Sequence, residues 1–543
     1  MKVFQQNLFL VLFLLLVLSV NSQTLPVDNT FFNPTYGLGT ATISESAGTG
    51  DDTQLFQNAI DAVNTAGGGK VTVNPGTYRI LEVDLKSNVH LEINSGVTIL
   101  PINALVGSNN TLFNADLNAG VENFSIIGVG GKFNVDMSSL ATTIRIRVVG
   151  FGFCSNFKVS NFHIIDGVTE FSSLAFGGNF VKTTIDGNKR ITSVRGIPNQ
   201  GIIENISMVN GHYGYGLVQV QGGKNILFRN LDCTGGVALR LETGYDLIQY
   251  TEAYDFNLIK LENIWGRNIE CTNGQSALQL SPHTLDQGYF NVEGVIGNSC
   301  EAAVVWSSGF TTDDQEANGL TPGSFDSTSK IRNVTSTFGQ NAQLHHVKRL
   351  RYIPCALRVE RVGGIGVSTT LNVDGESRMG PAIGSVIRQA DTPGDYNLDF
   401  PISEVTATGY NIDAYYLPPK AFIIDSYDDY EVCNETIDGI NFWIASDYRN
   451  TPNPRNPLEN GSLSISDFNN SEFKVYPNPS NGILTINLLN PSEEREVKIV
   501  NLLGKVVANY SVREKQELNL SHLTKGIYFL HVENEISKKI VLY

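Results

Sequence analysis

Hydrophobic positions in this chain follow two periods, and the switch between them marks where the fold begins. Leu55, Phe56, Ala59, Ile60 and Val63 recur at helical spacing behind Asp51-Asp52-Thr53, which predicts a short amphipathic helix with an acidic start, closed by Gly67-Gly68-Gly69. Lys70-Val71-Thr72-Val73 then alternates as a strand does, and Pro75-Gly76 turns the chain after it. Beyond this, short apolar segments carry an asparagine and several end at glycine: Glu122 to Gly128, Val159 to Gly167, Ile203 to Gly211, Lys224 to Asn230, Leu261 to Asn268 and Ile331 to Thr335. Copies about 20 to 40 residues apart fit one turn of a parallel solenoid with loops of varied length, whereas hairpin folds place turns roughly every 8 to 12 residues. The pattern predicts an all-β chain, a right-handed parallel β-helix with an N-terminal capping helix. Asparagines at equivalent corners are expected to stack and to bond the turn backbone.

The repeat stops near Tyr448. Asn450-Thr451-Pro452-Asn453-Pro454-Arg455-Asn456-Pro457 and the Ser- and Asn-rich residues after it carry too little apolar surface to fold, so 449–472 reads as a linker. Strand-like runs resume at Phe473 to Tyr476, Ile483 to Ile486, Val497 to Val500 and Tyr528 to Val532, predicting a small β-sandwich over 473–543. At the other end a single lysine, the apolar run Leu8 to Leu18 and a small polar stretch read as a signal peptide over 1–22. The β-helix is then assigned 23–448. Cys154, Cys233, Cys271, Cys300, Cys355 and Cys433 would meet an oxidising compartment, where they either pair or stay as buried thiols; none forms a CxxC motif.

Composition narrows the function. A chain of 543 residues that is 41% hydrophobic, 17% charged and holds 52 glycines is neither a disordered polyanion nor a helical bundle. Its net charge of −16 argues against a general nucleic-acid or anionic-membrane binder, which needs a basic footprint.

The C-terminal module resembles the type IX secretion sorting domain. Tyr476-Pro477-Asn478-Pro479 with Gly482, Asn501 to Val507, Leu523 to Leu530 and Lys538-Lys539-Ile540-Val541 carry the resemblance. It implies an export address read by the type IX machinery, a secreted or cell-surface location, and chemistry located upstream.

In a solenoid, residues on successive coils lie about 4.8 Å apart and residues i and i+2 share a face at about 6.6 Å, a geometry suited to a long polymer. If Val237 to Thr243 is a strand, Arg240 and Glu242 share the face opposite the apolar core, although a surface ion pair would show the same pattern. Gly211 to Gln219 and Ala277 to His283 are the comparable neighbouring coils.

Ser87-Asn88-Val89-His90, Gly211 to Gln219, Asn225 to Leu231, Gly235 to Thr243 and Ser281-Pro282-His283 resemble, in order, the iota-carrageenase family of glycoside hydrolases. The resemblance implies a right-handed β-helix that cleaves β-1,4 bonds in a sulfated red-algal galactan with inversion. It also implies structural calcium, and chloride or sodium near the cleft, with Gln219 as a candidate contact. Glu242 stands where the family has its general acid, a role that asks for a carboxyl raised by burial or by bound substrate. The family base is an aspartate two residues on, and Gly244 occupies that place here. Asp246 lies on the same face but about 13 Å from Glu242 unless a bulge at Gly244 shortens the path. His283 or another group on a neighbouring coil is the alternative base, and a non-catalytic relative is the third reading. Gln219 and His283 match polar cleft residues. For sulfate, Arg240 comes first, with Arg229 and Arg267 from neighbouring coils, because guanidinium offers a planar fork. Tyr213 and Tyr215 are candidate sugar platforms. Lys330 to Arg361, with seven basic residues against Glu360 alone, is expected to add sulfate contacts. The rival functions are a polysaccharide lyase acting on another anionic polymer and a secreted glycan-binding β-helix without turnover.

Overall fold

A computed structural model of the chain describes residues 24–45, 50–185, 188–243, 259–317, 319–345, 349, 352–353, 357, 360–390, 392–410, 423–425, 473–488, 495–501, 505–532 and 538–543. Two compact units divide between Ile444 and Ala445, a few residues before the expected boundary at 448. The signal-peptide and linker assignments lie outside the described residues.

The helix Thr53–Thr65 buries Phe56, Ile60 and Val63 over the first coil, as its apolar stripe requires. Gly69 follows at φ 144°, and a Cβ there would meet the Gly39 carbonyl oxygen at 1.9 Å. Only glycine lets the strands Gly39–Ile43 and Gly69–Val73 start their parallel pairing at that point. From here 22 strands among the described residues form one parallel network that winds into the right-handed β-helix.

Alternation decides what each coil buries. Val83, Phe113, Val149, Leu174, Val218, Leu239, Leu278, Val304 and Val386 align from coil to coil as one inward column of the core. One residue later the outward column reads Asp84, Asn114, Gly150, Ala175, Gln219, Arg240, Gln279, Val305 and Ile387. Its floor is small or polar until Val305 and Ile387, which pack into a second apolar cluster with Ala342, Leu344, Tyr352 and Ile383.

The corners carry the repeating asparagines in the left-handed region, which their short amide tolerates. Asn123 donates to Asn88 at 2.7 Å, and a second ladder runs from Asn268 to Asn230 (3.0 Å) to Asn205 (2.8 Å). A third links Asn263, Asn225 and Asn199 at 2.7 and 2.8 Å. Along the outside runs the segment from Leu25 to Tyr36. It buries Phe31 and Phe32 against Ile202, Leu227 and Trp265, and its backbone exchanges hydrogen bonds with Asn156 and Asn123.

Cys154, Cys233, Cys271 and Cys300 are buried free thiols, and burial raises the pKa of each; Cys355 and Cys433 lie outside the described residues. The C-terminal unit is a sandwich of two antiparallel sheets. One holds Phe473–Tyr476, Ile483–Leu488 and Lys515–Asn519; the other holds Arg495–Asn501, Val506–Val512, Gly526–Val532 and Lys538–Leu542. Leu484, Ile486, Val497, Leu530 and Ile540 fill its core.

Candidate active site

Glu242 ends the strand Gly223–Glu242, which turns a corner at Gly235 and Gly236, with φ of 81° and 68°. A Cβ on Gly236 would lie 2.7 Å from the Gly216 Cα, so the neighbouring corner leaves no room for a side chain. Residues 223–234 therefore pair in one sheet and 237–242 in the next. On this second sheet Arg240 sits between Gln219 and Gln279 of the adjacent coils, and Glu242 pairs with Ser281, two residues before His283.

These neighbours converge on one carboxylate. His283 Nε2 lies 2.8 Å from Glu242 Oε1, Gln219 Nε2 donates to Oε2 at 3.2 Å, and the Arg240 guanidinium pairs with Oε2 while donating to the Gly214 carbonyl. The next residue, Thr243, accepts from Gln287 at 2.8 Å and pins the strand end. Glu242 is only 7% exposed. Burial pushes its carboxyl up, but Arg240 and His283 outweigh burial and bring it down from 4.5 to about 2. The raised acid expected from the sequence is therefore not present in the free protein, because the cation expected to bind sulfate is already paired with the acid.

The remaining candidates separate. Asp246 and Gly244 lie outside the described residues. His283 bonds the proposed acid itself, so its first role is to hold that carboxylate. Tyr215 stays half-exposed, its ring 5.2 Å from His212 and 6.0 Å from Phe171. Tyr213 cannot serve as a sugar platform: it is 5% exposed, its hydroxyl points at the buried Glu301 at 3.4 Å, and burial raises its pKa.

Arg229 and Arg267 are not brought to Glu242, because they precede the corner and lie on the other sheet. There they line a cavity of about 890 Å³ with Glu204, Glu293 and Leu25. Arg229 is held by Asp28 at 2.6 Å and Glu204 at 2.5 Å, while Arg267 bonds Asn291 and lies 3.6 Å from Glu293. Acids neutralise that cavity, so its size does not make it a sulfate site. The described part of the basic stretch is likewise spent internally. Lys330 and Arg332 face Asp399, Arg349 is buried against Glu301 at 2.8 Å, and Arg361 bonds Asn341 at 2.6 Å. Lys348, Arg351 and Arg358 lie outside the described residues.

Two cleft residues escaped the sequence reading. Phe310, 44% exposed, sets its ring 4.3 Å from that of His283; it lies in a loop after Trp306, where no period announces it. Gln279 does carry a signal, as the one polar position between the inward Leu278 and Leu280. For the expected calcium, no group of three or more His, Cys, Asp or Glu among the described residues is placed to hold a metal ion, and no step below is routed through one.

A buried carboxylate paired with a guanidinium on the outer column of a parallel β-helix is the arrangement that a polysaccharide hydrolase of the solenoid class would use. The chain belongs to the iota-carrageenase family of glycoside hydrolases. It is 31% identical over 453 residues to the iota-carrageenase of Zobellia galactanivorans, covering 72% of this chain and 84% of that relative. It is 30% identical over 420 residues to that of Alteromonas macleodii, covering 68% and 82%. Among solved structures, a 1,3-α-1,4-β-D-galactose-4-sulfate-3,6-anhydro-D-galactose-2-sulfate 4 galactohydrolase matches with a TM-score of 0.64 at 28% identity, covering 79% of this chain and 99% of that one. An iota-carrageenase complexed to iota-carrageenan fragments matches at 0.61 and 26%, covering 76% and 97%. Residues 474–543 match the family model of the secretion system C-terminal sorting domain, so the protein is secreted or held at the cell surface by the type IX route.

Proposed function

We propose that this protein hydrolyses the β-1,4 bonds of iota-carrageenan by inversion, with Glu242 as the general acid. The observation that carries this reading is the shared face: the buried Glu242 carboxylate and the Arg240 guanidinium are paired neighbours on the outward side of one strand, which would let acid and sulfate contact act on adjacent parts of one sugar. The relative crystallised with iota-carrageenan fragments supports the same substrate.

The low pKa of Glu242 sets the order of events. A sulfate competes for the Arg240 fork, to which it can bond twice. Once Arg240 turns to the sulfate, the largest counter-charge is withdrawn, burial is opposed by the His283 bond alone, and the Glu242 carboxyl rises and takes up a proton from solvent. The protonated acid then gives that proton to the leaving oxygen of the anhydrogalactose as water attacks the galactose anomeric carbon from the opposite face. Gln219 and His283 hold the carboxyl in register throughout. Asp246, the first aspartate after Gly244, is the base that takes the water proton. A halide or sodium ion at Gln219 and a structural calcium belong to the same reading, and none of these steps depends on them.

Incubating the full-length protein with iota-, kappa- and lambda-carrageenan tests the proposal. Reducing ends should appear from iota-carrageenan without unsaturated, ultraviolet-absorbing products, and NMR of the first products should show the α-anomer. Absence of reducing ends from all three polymers would refute turnover; a β-anomer would refute inversion.

A further inference from the structure

The outward column places Gln279 beside Arg240 on the next coil, mirroring Gln219 on the coil before. The two amides are not equivalent. Gln219 donates to Glu242, whereas Gln279 Oε1 is buried in a residue only 9% exposed and has no hydrogen-bond partner among the described residues. Leaving a buried acceptor without a donor costs stability, and an apolar side chain would fill this position between Leu278 and Leu280 without that cost. Beyond Gln279 the column is covered, since Val305 packs into the apolar cluster with Leu344 and Ile383. The vacant acceptor thus sits at the last place on the outer column before the apolar cluster, one coil across from Glu242 and two residues back, about 8 Å away by strand geometry.

We propose that Gln279 accepts a hydrogen bond from a hydroxyl of the galactose whose anomeric carbon is attacked, and so selects that unit for the site beside Glu242. The chemistry of the polymer in the proposed function makes the choice narrow. In an alternating chain linked 1,3 and 1,4, the 2-sulfated 3,6-anhydro unit has no free hydroxyl: its oxygens are linked, bridged or sulfated. The 4-sulfated galactose keeps two, at C2 and C6. An acceptor therefore recognises galactose and offers nothing to the anhydro unit, which fixes the register of the chain by one sugar. The C2 hydroxyl adjoins the reacting carbon, and a bond to it tightens as positive charge develops there.

This inference rests on the carrageenan reading, and the test separates the two. Gln279→Met and Gln279→Leu in the full-length protein remove the acceptor and keep the volume. With iota-carrageenan, kcat/KM should fall roughly 5- to 30-fold, mainly in kcat. The thermal midpoint should hold or rise, because the unpartnered oxygen is gone. A structural role would lower midpoint and activity together, and that outcome overturns the proposal. So does a kcat/KM within twofold of wild type, or a loss confined to KM. Failure of the wild-type protein to release reducing ends would sink the carrageenan reading itself, whereas an active wild type with equally active variants would sink only the assignment of Gln279.

Discussion

Replacing Glu242 by glutamine tests the acid and the ion pair together. Glutamine keeps the shape of the protonated carboxyl, can donate no proton to a leaving group, and cannot neutralise Arg240. General-acid catalysis contributes roughly 10²- to 10⁴-fold, so hydrolysis of iota-carrageenan should fall by about that factor. The stability effect follows from the titration. A carboxyl moved from 4.5 to about 2 favours its charged form in the fold by about 2.5 pH units, or about 3 kcal/mol. A depressed carboxyl contributes stability that is present above the unfolded value and lost as pH falls towards the folded one. Glu242→Gln should therefore be less stable than wild type by up to about 3 kcal/mol above pH ~5, and the gap should close between pH ~4.5 and ~2. Trp265, Trp306 and Trp443 all lie before residue 445, so tryptophan fluorescence in a urea titration follows the β-helix unit alone. Near-normal hydrolysis would refute the acid assignment. A stability gap that does not change with pH would refute the ion-pair reasoning even if activity were lost.

Three further outcomes follow from the same geometry. Arg240→Met should raise KM roughly tenfold or more through loss of a charge-assisted contact, and should move the alkaline limb of the kcat/KM profile to higher pH because Glu242 loses its main counter-charge. Phe310→Ala should raise KM a few fold, by removal of an aromatic sugar contact of about 1 kcal/mol, with little change in thermal midpoint because the ring is 44% exposed. Asp166 is raised by burial from 3.8 to about 6, so in the fold it holds its proton more tightly than in the unfolded chain, and stability falls as pH rises from ~4 to ~6. Asp166→Asn should remove that slope and gain up to about 3 kcal/mol above pH 6, read from urea midpoints at pH 4 and pH 8.

Periodicity was the legible part of this chain. Helix spacing at Phe56, Ile60 and Val63, strand alternation at Val237 to Thr243, and an asparagine per coil are local signals, and each survives as a buried face or a corner ladder. The site was legible along a strand and illegible across strands. Arg240 and Glu242 were read as neighbours because i and i+2 share a face, yet Arg229 was assigned to the same cleft although a glycine corner turns it onto another sheet. Tyr213 failed for a related reason: sequence shows an aromatic beside a glycine-rich turn but not the buried Glu301 and Arg349 that claim it. Charge misled in the same way. Lys330, Arg332 and Arg349 looked like surplus cations because their partners, Asp399, Glu404 and Glu301, lie outside the Lys330 to Arg361 run or arrive from another coil.

The segment from Leu25 to Tyr36 bears on how such a solenoid is made. Each coil contacts mainly its neighbours, so a β-helix can wind progressively and its coils can open one by one. This strap breaks that locality, with hydrogen bonds that span 88 residues at Thr35, 123 at Asn33 and 201 at Asp28. Asp28 has no Arg229 and Phe31 no Trp265 until the middle coils exist, so the Leu25 to Tyr36 segment cannot dock fully before they form. Closing so long a loop adds only slowly to the entropic cost, which grows with the logarithm of its length. In return, opening a coil between His90 and Trp265 disturbs the strap and, through it, coils far away. A stack that would otherwise unravel like a spring behaves there as one cooperative block.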